Sequence, residues 1–282
     1  MSSAARQPSW SRKPGRTDLW WPGNGCANGA PVQRRELRYG SQEFLAASDL
    51  ARRLPDSAPA WALIRSVARC PAMLRVLAAV WRLPVIDLRV RQAEADAWWF
   101  RDWFAPRLRL AWAVLDLPTV EDHYLTGRSR QALRTNLRHA RTRGVTSARV
   151  TYETWFEAVS AIMGARDDEP GPEQDRPRPR QHATYYVARA ACGEPLAFAG
   201  AALFGQFAVL FALVSRPDRQ PDSSWARHQL HTFLALDLGC SGAKHLITGS
   251  ALRETAGNQY FQHLLGYQAR NVRVKVIRSP TT

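Results

Sequence analysis

Between Thr184 and Ile277 the chain alternates strand-like and helix-like segments in an order that few folds accommodate. Three runs, TYYVARA (184–190), PLAFAGAALF (195–204) and FAVLFALVS (207–215), are apolar and rich in aromatic, β-branched or small residues. The joining segments, ACGE and GQ, are short turns that contain glycine, so an antiparallel meander is predicted. After the loop RPDRQPDS come a helix, SWARHQLHTFLALDLG (224–239), a strand, KHLITG (244–249), a helix, NQYFQHLLG (258–266), and a strand, YQARNVRVKVI (267–277). The order β-β-β-α-β-α-β combines a meander and crossovers in a single sheet.

Upstream, RLRLAWAVLDLP (107–118) reads as a strand and TVEDHYLTGRS as a short helix with acids in its first turn. A basic helix follows within GRSRQALRTNLRHARTRG (127–144), then a strand in VTSARVTY and a helix in ETWFEAVSAIMGA. Residues 1–40 are loop-like, rich in Gly, Pro, Asn and Arg. Residues 41–106 read as a mostly helical N-terminal portion broken at Pro55, Pro84 and Pro106. The main domain is therefore 107–282, interrupted at 166–183 by a charged, proline-rich loop expected to be mobile.

Lys and Arg number 39 against 24 Asp and Glu, a formal charge of +15 that points to a polyanionic partner. The four cysteines are scattered without a C-x-x-C pair, so neither a zinc knuckle nor a disulfide framework is indicated. The chain shows no signal-peptide core and no apolar run of membrane-spanning length, and a cytoplasmic protein that does not engage membranes is expected.

The order of elements, with a helix ending HLLGYQ before the last long strand, resembles the GNAT acyltransferase superfamily. The strand, basic helix, strand and ETWFEAVSAIM helix upstream resemble its Fem-like branch. The resemblance spans roughly Arg107 to Val276. It implies an α/β (α+β) fold, a mixed and mostly antiparallel sheet flanked by helices. It also implies transfer of an amino acid from aminoacyl-tRNA to a small-molecule or peptide amine, as in natural-product biosynthesis. No cofactor is then needed, since the aminoacyl-tRNA is a co-substrate. An acyl-CoA-dependent N-acyltransferase is the alternative, and a non-catalytic RNA-binding shell is a third reading.

Two departures bear on that choice. Coenzyme-A-using members carry an Arg/Gln-x-x-Gly-x-Gly/Ala turn whose bare backbone N–H groups hold pyrophosphate. SRPDRQPDSSWAR stands in that place here, with two prolines and no glycine, which disfavours such binding. In the last helix, Gln262 follows Phe261 where the resemblance implies a tyrosine acid or a lysine. Glutamine donates a hydrogen bond but cannot act as an acid.

A GNAT-like sheet supplies an oxyanion donor where its fourth and fifth strands part, here near Val214 and Thr248. By location, Ser215, Thr248, Ser250, Asn258, Tyr260 and Gln262 are the catalytic candidates. Arg216, Ser224, Arg227 and His228 are the candidates for substrate binding. His228 and His231, one helical turn apart, are possible bases, and no metal ligand set is evident. In the basic helix, Arg130, Arg134, Arg138 and Arg141 fall within about 80° of one another, beside an apolar stripe of Leu133, Leu137 and Ala140. With Arg128 and Arg143 they are expected to form an unpaired row about 16 Å long that grips tRNA phosphates. The competing expectation is that acids elsewhere in the fold neutralise them.

Overall fold

The computed structural model describes residues 80–95, 111–164, 179–217 and 221–277, together with Phe44, Leu45, Ser48, Asp49, Ala78 and Phe100. The sequence readings for 1–40, for most of 41–84 and for 165–178 fall outside these residues.

Eight strands form one sheet in the order β1-β8-β2-β7-β6-β5-β4-β3. At its centre is the expected meander: β4 (Ala183–Arg189), β5 (Pro195–Phe204) and β6 (Phe207–Ser215), all antiparallel. Its two turns place Gly193 (φ 88°) and Gly205 (φ 52°) in the left-handed region, which glycine enters at no steric cost. Strand β3 (Thr146–Val150) pairs antiparallel with β4 at one edge. Helix α5 (Pro221–Cys240) crosses over to β7 (His245–Ser250), which lies parallel to β6. Helix α6 (Ala256–Leu265) then leads to β8 (Gln268–Ile277), and β2 (Trp112–Asp116) sits between β7 and β8, antiparallel to both.

Period-two alternation decides which face each helix covers. Tyr186, Ala188, Ala197 and Ala199 join Leu133 and Leu137 of α3 (Gln131–Thr142) and Leu230 and Leu234 of α5 in one core. Their neighbours Tyr185, Val187 and Phe198 face the other way and pack on Trp155, Ala158 and Ile162 of α4 (Tyr152–Gly164). The alanines let α5 lie close to the sheet. Where Gly200 and Ala201 face Ala212 and Leu210, β6 carries one extra residue, Phe211, which is a bulge. Its ring lies over Gly200, where a β-carbon would sit 2.3 Å from Phe211 Cε2.

One segment departs from the sequence reading. Val85–Arg91, within the stretch expected to be helical, is strand β1, and it pairs parallel with β8 from Val85 opposite Asn271 to Arg91 opposite Ile277. A four-residue helix, α1 (Gln92–Ala95), follows it, and a short helix, α2 (Glu121–Leu125), follows β2. Leu88 and Val90 are buried while Asp87, Arg89 and Arg91 face outward, a two-residue period. The helix-like sequence pattern that precedes it and the partner strand's distance along the chain conceal that period. Among the described residues no helix is long and apolar enough to cross a membrane.

Candidate active-site cleft

Strands β6 and β7 start as a parallel pair but do not remain one. Their ladder covers only Phe207–Val209 against His245–Ile247. Beyond it, backbone groups on the two facing edges turn toward a gap instead of each other. The gap opens into a cleft of about 240 Å³ walled by β6, β7, α5 and α6.

The cleft brings together Thr248 from β7, Asn258 and Gln262 from α6, and Arg227 from α5, all four among the sequence candidates. Asn258 and Gln262 share a face because they are four residues apart on one helix, as do Arg227 and His231 on α5. Thr255 caps α6 by accepting a hydrogen bond from Asn258 N at 3.3 Å. At the other end Gly266 takes the left-handed C-cap (φ 84°).

Three polar groups in the cleft form a chain. Arg227 Nη2 donates to Asn258 Oδ1 at 3.0 Å, and Asn258 Nδ2 donates to Glu254 Oε2 at 2.9 Å. The Arg227 guanidinium lies 4.1 Å over the Phe261 ring, and its Nε is buried without a partner. Burial works against its charge while Glu254 supports it.

His231 also lines the cleft and is fully buried. Its Nε2 lies 2.8 Å from the Tyr267 hydroxyl, and its Nδ1 has no partner. Burial, reinforced by His228, Arg227 and Arg130, lowers its pKa to about 3. At neutral pH His231 is therefore an uncharged hydrogen-bonding group and not a proton acceptor of useful strength. His228 is likewise committed inside the fold: Nδ1 lies 2.8 Å from Ser224 O and Nε2 3.3 Å from Asn136 Nδ2. It is a packing histidine, not a cleft residue.

The remaining candidates lie elsewhere. Ser215 is at the far end of β6, opposite Ala197, and Ser250 ends β7 opposite Trp112. Tyr260 is on the outer face of α6, 63% exposed. Ser224 is exposed in the first turns of α5, and Arg216 is ion-paired with Glu194 at the β4–β5 turn. These five were chosen by position along the chain, and none of them is among the residues that line the cleft. Glu254 and Tyr267 were missed, because neither lies in a motif and only the fold brings them beside α5.

The unpaired arginine row is corrected by the structure. Arg141 is ion-paired with Glu121, and Arg143 stands 3.9 Å from Asp222. Arg134 donates to Leu125 O at 2.5 Å and Gly127 O at 2.9 Å. Arg130 donates to Leu264 O at 2.7 Å, 5.2 Å from the Tyr124 ring centre, and so closes the C-terminus of α6. Acids and carbonyls distant in sequence supply what the segment lacks. Arg128 and Arg138 are exposed, and among the described residues neither side chain meets an acid or a carbonyl. Next to Arg138, His139 stacks on Trp225 with ring centres 4.8 Å apart.

Arg130 is thus a structural residue. Arg130→Met, which strands a carbonyl at a helix end, is expected to cost about 1–3 kcal/mol. The urea midpoint should fall with no change in the slope of the transition.

No protein-family model matches the sequence, and no curated protein matches it. Solved structures similar to the chain include one titled as the crystal structure of FemX (TM-score 0.43, 12% identity, 57% of this chain and 59% of that one). Another is L-PGS from Bacillus licheniformis (TM-score 0.40, 16% identity, 57% and 59%). A third is a GCN5-related N-acetyltransferase from Kribbella flavida (TM-score 0.31, 19% identity, 57% and 54%). The chain spans under two-thirds of the length of each of these structures. Likeness at this level says nothing about substrate. The eight-stranded mixed sheet, flanked by helices and parting between two parallel strands, is GNAT-like in its own right.

Proposed function

We propose that this chain is an acyltransferase that forms an amide bond at the parting of β6 and β7, with an aminoacyl-tRNA as donor and a small-molecule or peptide amine as acceptor. The observation that carries the reading is the parting itself. Strand edges without ladder partners across the gap, Thr248, Gln262 and the Arg227 guanidinium converge on one cleft. Such donors suit a tetrahedral oxyanion, and a preorganised donor of this kind is worth about 10²–10³ in rate.

An aminoacyl ester is already activated. The amine attacks the carbonyl carbon, the carbonyl oxygen takes the negative charge, and the ester C–O bond breaks as the carbonyl re-forms, the proton lost by the amine nitrogen passing to the departing ribose oxygen. Orientation and oxyanion stabilisation suffice for that sequence, which suits a cleft whose histidine is held neutral.

Two features favour a nucleic-acid carrier over coenzyme A. The segment leading into α5 carries Pro217, the helix opens on Pro221, no glycine lies between them, and the first turn of α5 carries Asp222, a negative charge where a pyrophosphate would lie. Arg128 and Arg138 remain available on the surface of a chain with net charge +15.

The test uses both carriers. The protein is incubated with charged total tRNA or with an acyl-CoA panel, each with a panel of amines, with and without RNase. Product formed from charged tRNA and abolished by RNase is expected. Product from acyl-CoA would establish the alternative, and RNA binding with no turnover would leave a binding shell. In parallel, Arg128→Glu/Arg138→Glu is expected to weaken tRNA binding at least tenfold and to lower the salt slope by about 2. Arg134 is spared because it holds backbone carbonyls. An unchanged affinity and slope would remove RNA from the proposal.

A further inference from the structure

We infer that a second pocket, between the edge strand β3, helix α5 and the C-terminal half of α3, binds the hydroxyl group of a small uncharged alcohol, held by Ser147, Gln229 and Thr232. The pocket lies apart from the cleft, so the inference goes beyond the transferase reading and does not depend on it.

Among the described residues, seven buried side-chain polar atoms have no hydrogen-bond partner. Two of them, Arg227 Nε and His231 Nδ1, belong to residues that line the cleft. Three others, Ser147 Oγ, Gln229 Oε1 and Thr232 Oγ1, belong to residues that line one other pocket, of about 120 Å³. An unsatisfied buried polar group is costly, and three beside a single cavity mark a place where a ligand offsets that cost.

Local geometry explains why these residues meet. Two-residue alternation turns Val145, Ser147 and Arg149 to one side of the edge strand. Gln229 Nε2 donates to Val145 O at 2.8 Å, and Arg149 stands 3.9 Å from Asp237, so α5 is fastened to that edge on either side of Ser147. On α5, Gln229, Thr232, Phe233 and Leu236 fall within about 100° of one another, half a turn away from Arg227 and His231. The helix thus gives one face to the cleft and the opposite face to this pocket. Leu137 and Arg141 of α3 and Glu121 of α2 complete the lining.

The lining selects by charge and by hydrogen bonding. Its two charged members, Glu121 and Arg141, are ion-paired with each other, which leaves no net charge to attract an ion. Gln229 has committed its Nε2 to Val145 and presents only Oε1, an acceptor. Ser147 and Thr232 carry hydroxyls that both donate and accept. A single alcohol oxygen answers all three: it donates to Gln229 Oε1 and accepts from the two hydroxyls, while its carbon chain lies on Leu137, Phe233 and Leu236. Thr232 is 4% exposed, and its Oγ1 reaches the ligand by a change of χ1 between the two rotamers that a helical threonine adopts. The pocket's 120 Å³ is the share of roughly four waters at about 30 Å³ each, room for an alcohol of about four to six non-hydrogen atoms.

The test is methyl-detected NMR on the full chain, with isobutanol as the probe and its methyl ether, isobutyrate and isobutylamine as controls. Isobutanol is expected to shift the methyl signals of Leu137, Thr232 and Leu236 saturably, with about millimolar affinity for a ligand of this size. Each control should bind at least fivefold more weakly. Thr232→Val is expected to weaken isobutanol at least fivefold without lowering the melting temperature, since Thr232 Oγ1 has no partner among the described residues to lose. Absence of a saturable shift would mean that the pocket takes water alone and would overturn the inference. Equal binding of the ether, or unchanged binding by Thr232→Val, would do the same. A lowered melting temperature would show the hydroxyl already bonded within the fold, and shifts centred on Leu210 and Leu213 would put the alcohol in the cleft; either result also overturns it. None of these readings involves RNA or an acyl donor, so a failure here is separate from a failure of the transferase experiments.

Discussion

Replacing Gly239 by alanine is expected to lower stability by about 3 kcal/mol, although a Gly→Ala change inside a helix ordinarily adds up to about 1 kcal/mol. Gly239 lies in the last turn of α5, where the helix meets the chain leaving β2. A β-carbon there would sit 2.0 Å from Pro118 O and 3.0 Å from Pro118 C. Both are backbone atoms. No side-chain rotation relieves the contact, so α5 or the 117–118 segment must move. The same segment is anchored by Leu117 N donating to Lys244 O at 2.8 Å, which ties it to the start of β7. A shift is thus passed to the strand that forms one wall of the cleft. A fall in melting temperature of roughly 6–12 °C, measured by calorimetry, is the expected result. A rise would show that α5 does not lie against Pro118.

The second large effect is a loss of stability in acid that is traceable to one histidine. His231 has a pKa of about 3 in the folded chain against an ordinary 6.5. Above pH 6.5 it is neutral in both states and contributes nothing to the pH dependence. Between pH 6.5 and 3 the unfolded chain takes up a proton that the folded chain refuses. Stability therefore falls as pH falls through that window, by about 5 kcal/mol in full. His228, also lowered by burial, acts in the same direction. So does Asp116, which its hydrogen bond to His245 and then Arg270 hold below the ordinary carboxylate range.

The His231→Gln variant separates these contributions. It loses stability at pH 7.5, where the partner of the Tyr267 hydroxyl is disturbed, yet its urea midpoint should decline less between pH 6.5 and 4 than that of the wild type. Parallel declines in the two proteins would mean that His231 titrates normally. The same substitution tests the chemistry, because a group neutral throughout the physiological range contributes no bell-shaped limb near pH 6–7 to the rate profile.

Short-range pattern made most of the sheet legible. PLAFAGAALF and FAVLFALVS alternate, and the glycines between the meander strands mark turns that require positive φ, so β4 to β6 follow from local chemistry. Helix α6 begins at a threonine cap and ends at a left-handed glycine, and both signals are adjacent in sequence. Strand β1 lacked such a signal. Its hydrogen-bond partner begins at Asn271, and its register exists only once β8 is in place. Within the site, Thr248, Asn258, Gln262 and Arg227 were reached from the order of elements, since each lies on a segment that must border the gap. Ser215, Ser250, Tyr260 and Arg216 lie on or beside the same segments and do not line the cleft. Order along the chain does not encode which way a strand end or an outer helix face turns.

The amino-acid sequence alone determined the succession of strands and helices, the apolar stripe of α3, the missing glycines before α5 and the excess of positive charge. These are properties of residues a few positions apart, settled by sterics, periodicity and composition. Tertiary structure decided what those charges meet. Glu121 and Asp222, with the carbonyls of Leu125, Gly127 and Leu264, take up four of the six arginines. Asn258 spaces Arg227 from Glu254, and Phe261 and Tyr267 pack against His231 where α5 buries it. Electrostatic energy depends on distance through space and on how much solvent stands between groups. The pairing of charges and the protonation of a buried histidine therefore come into being only when the chain closes on itself.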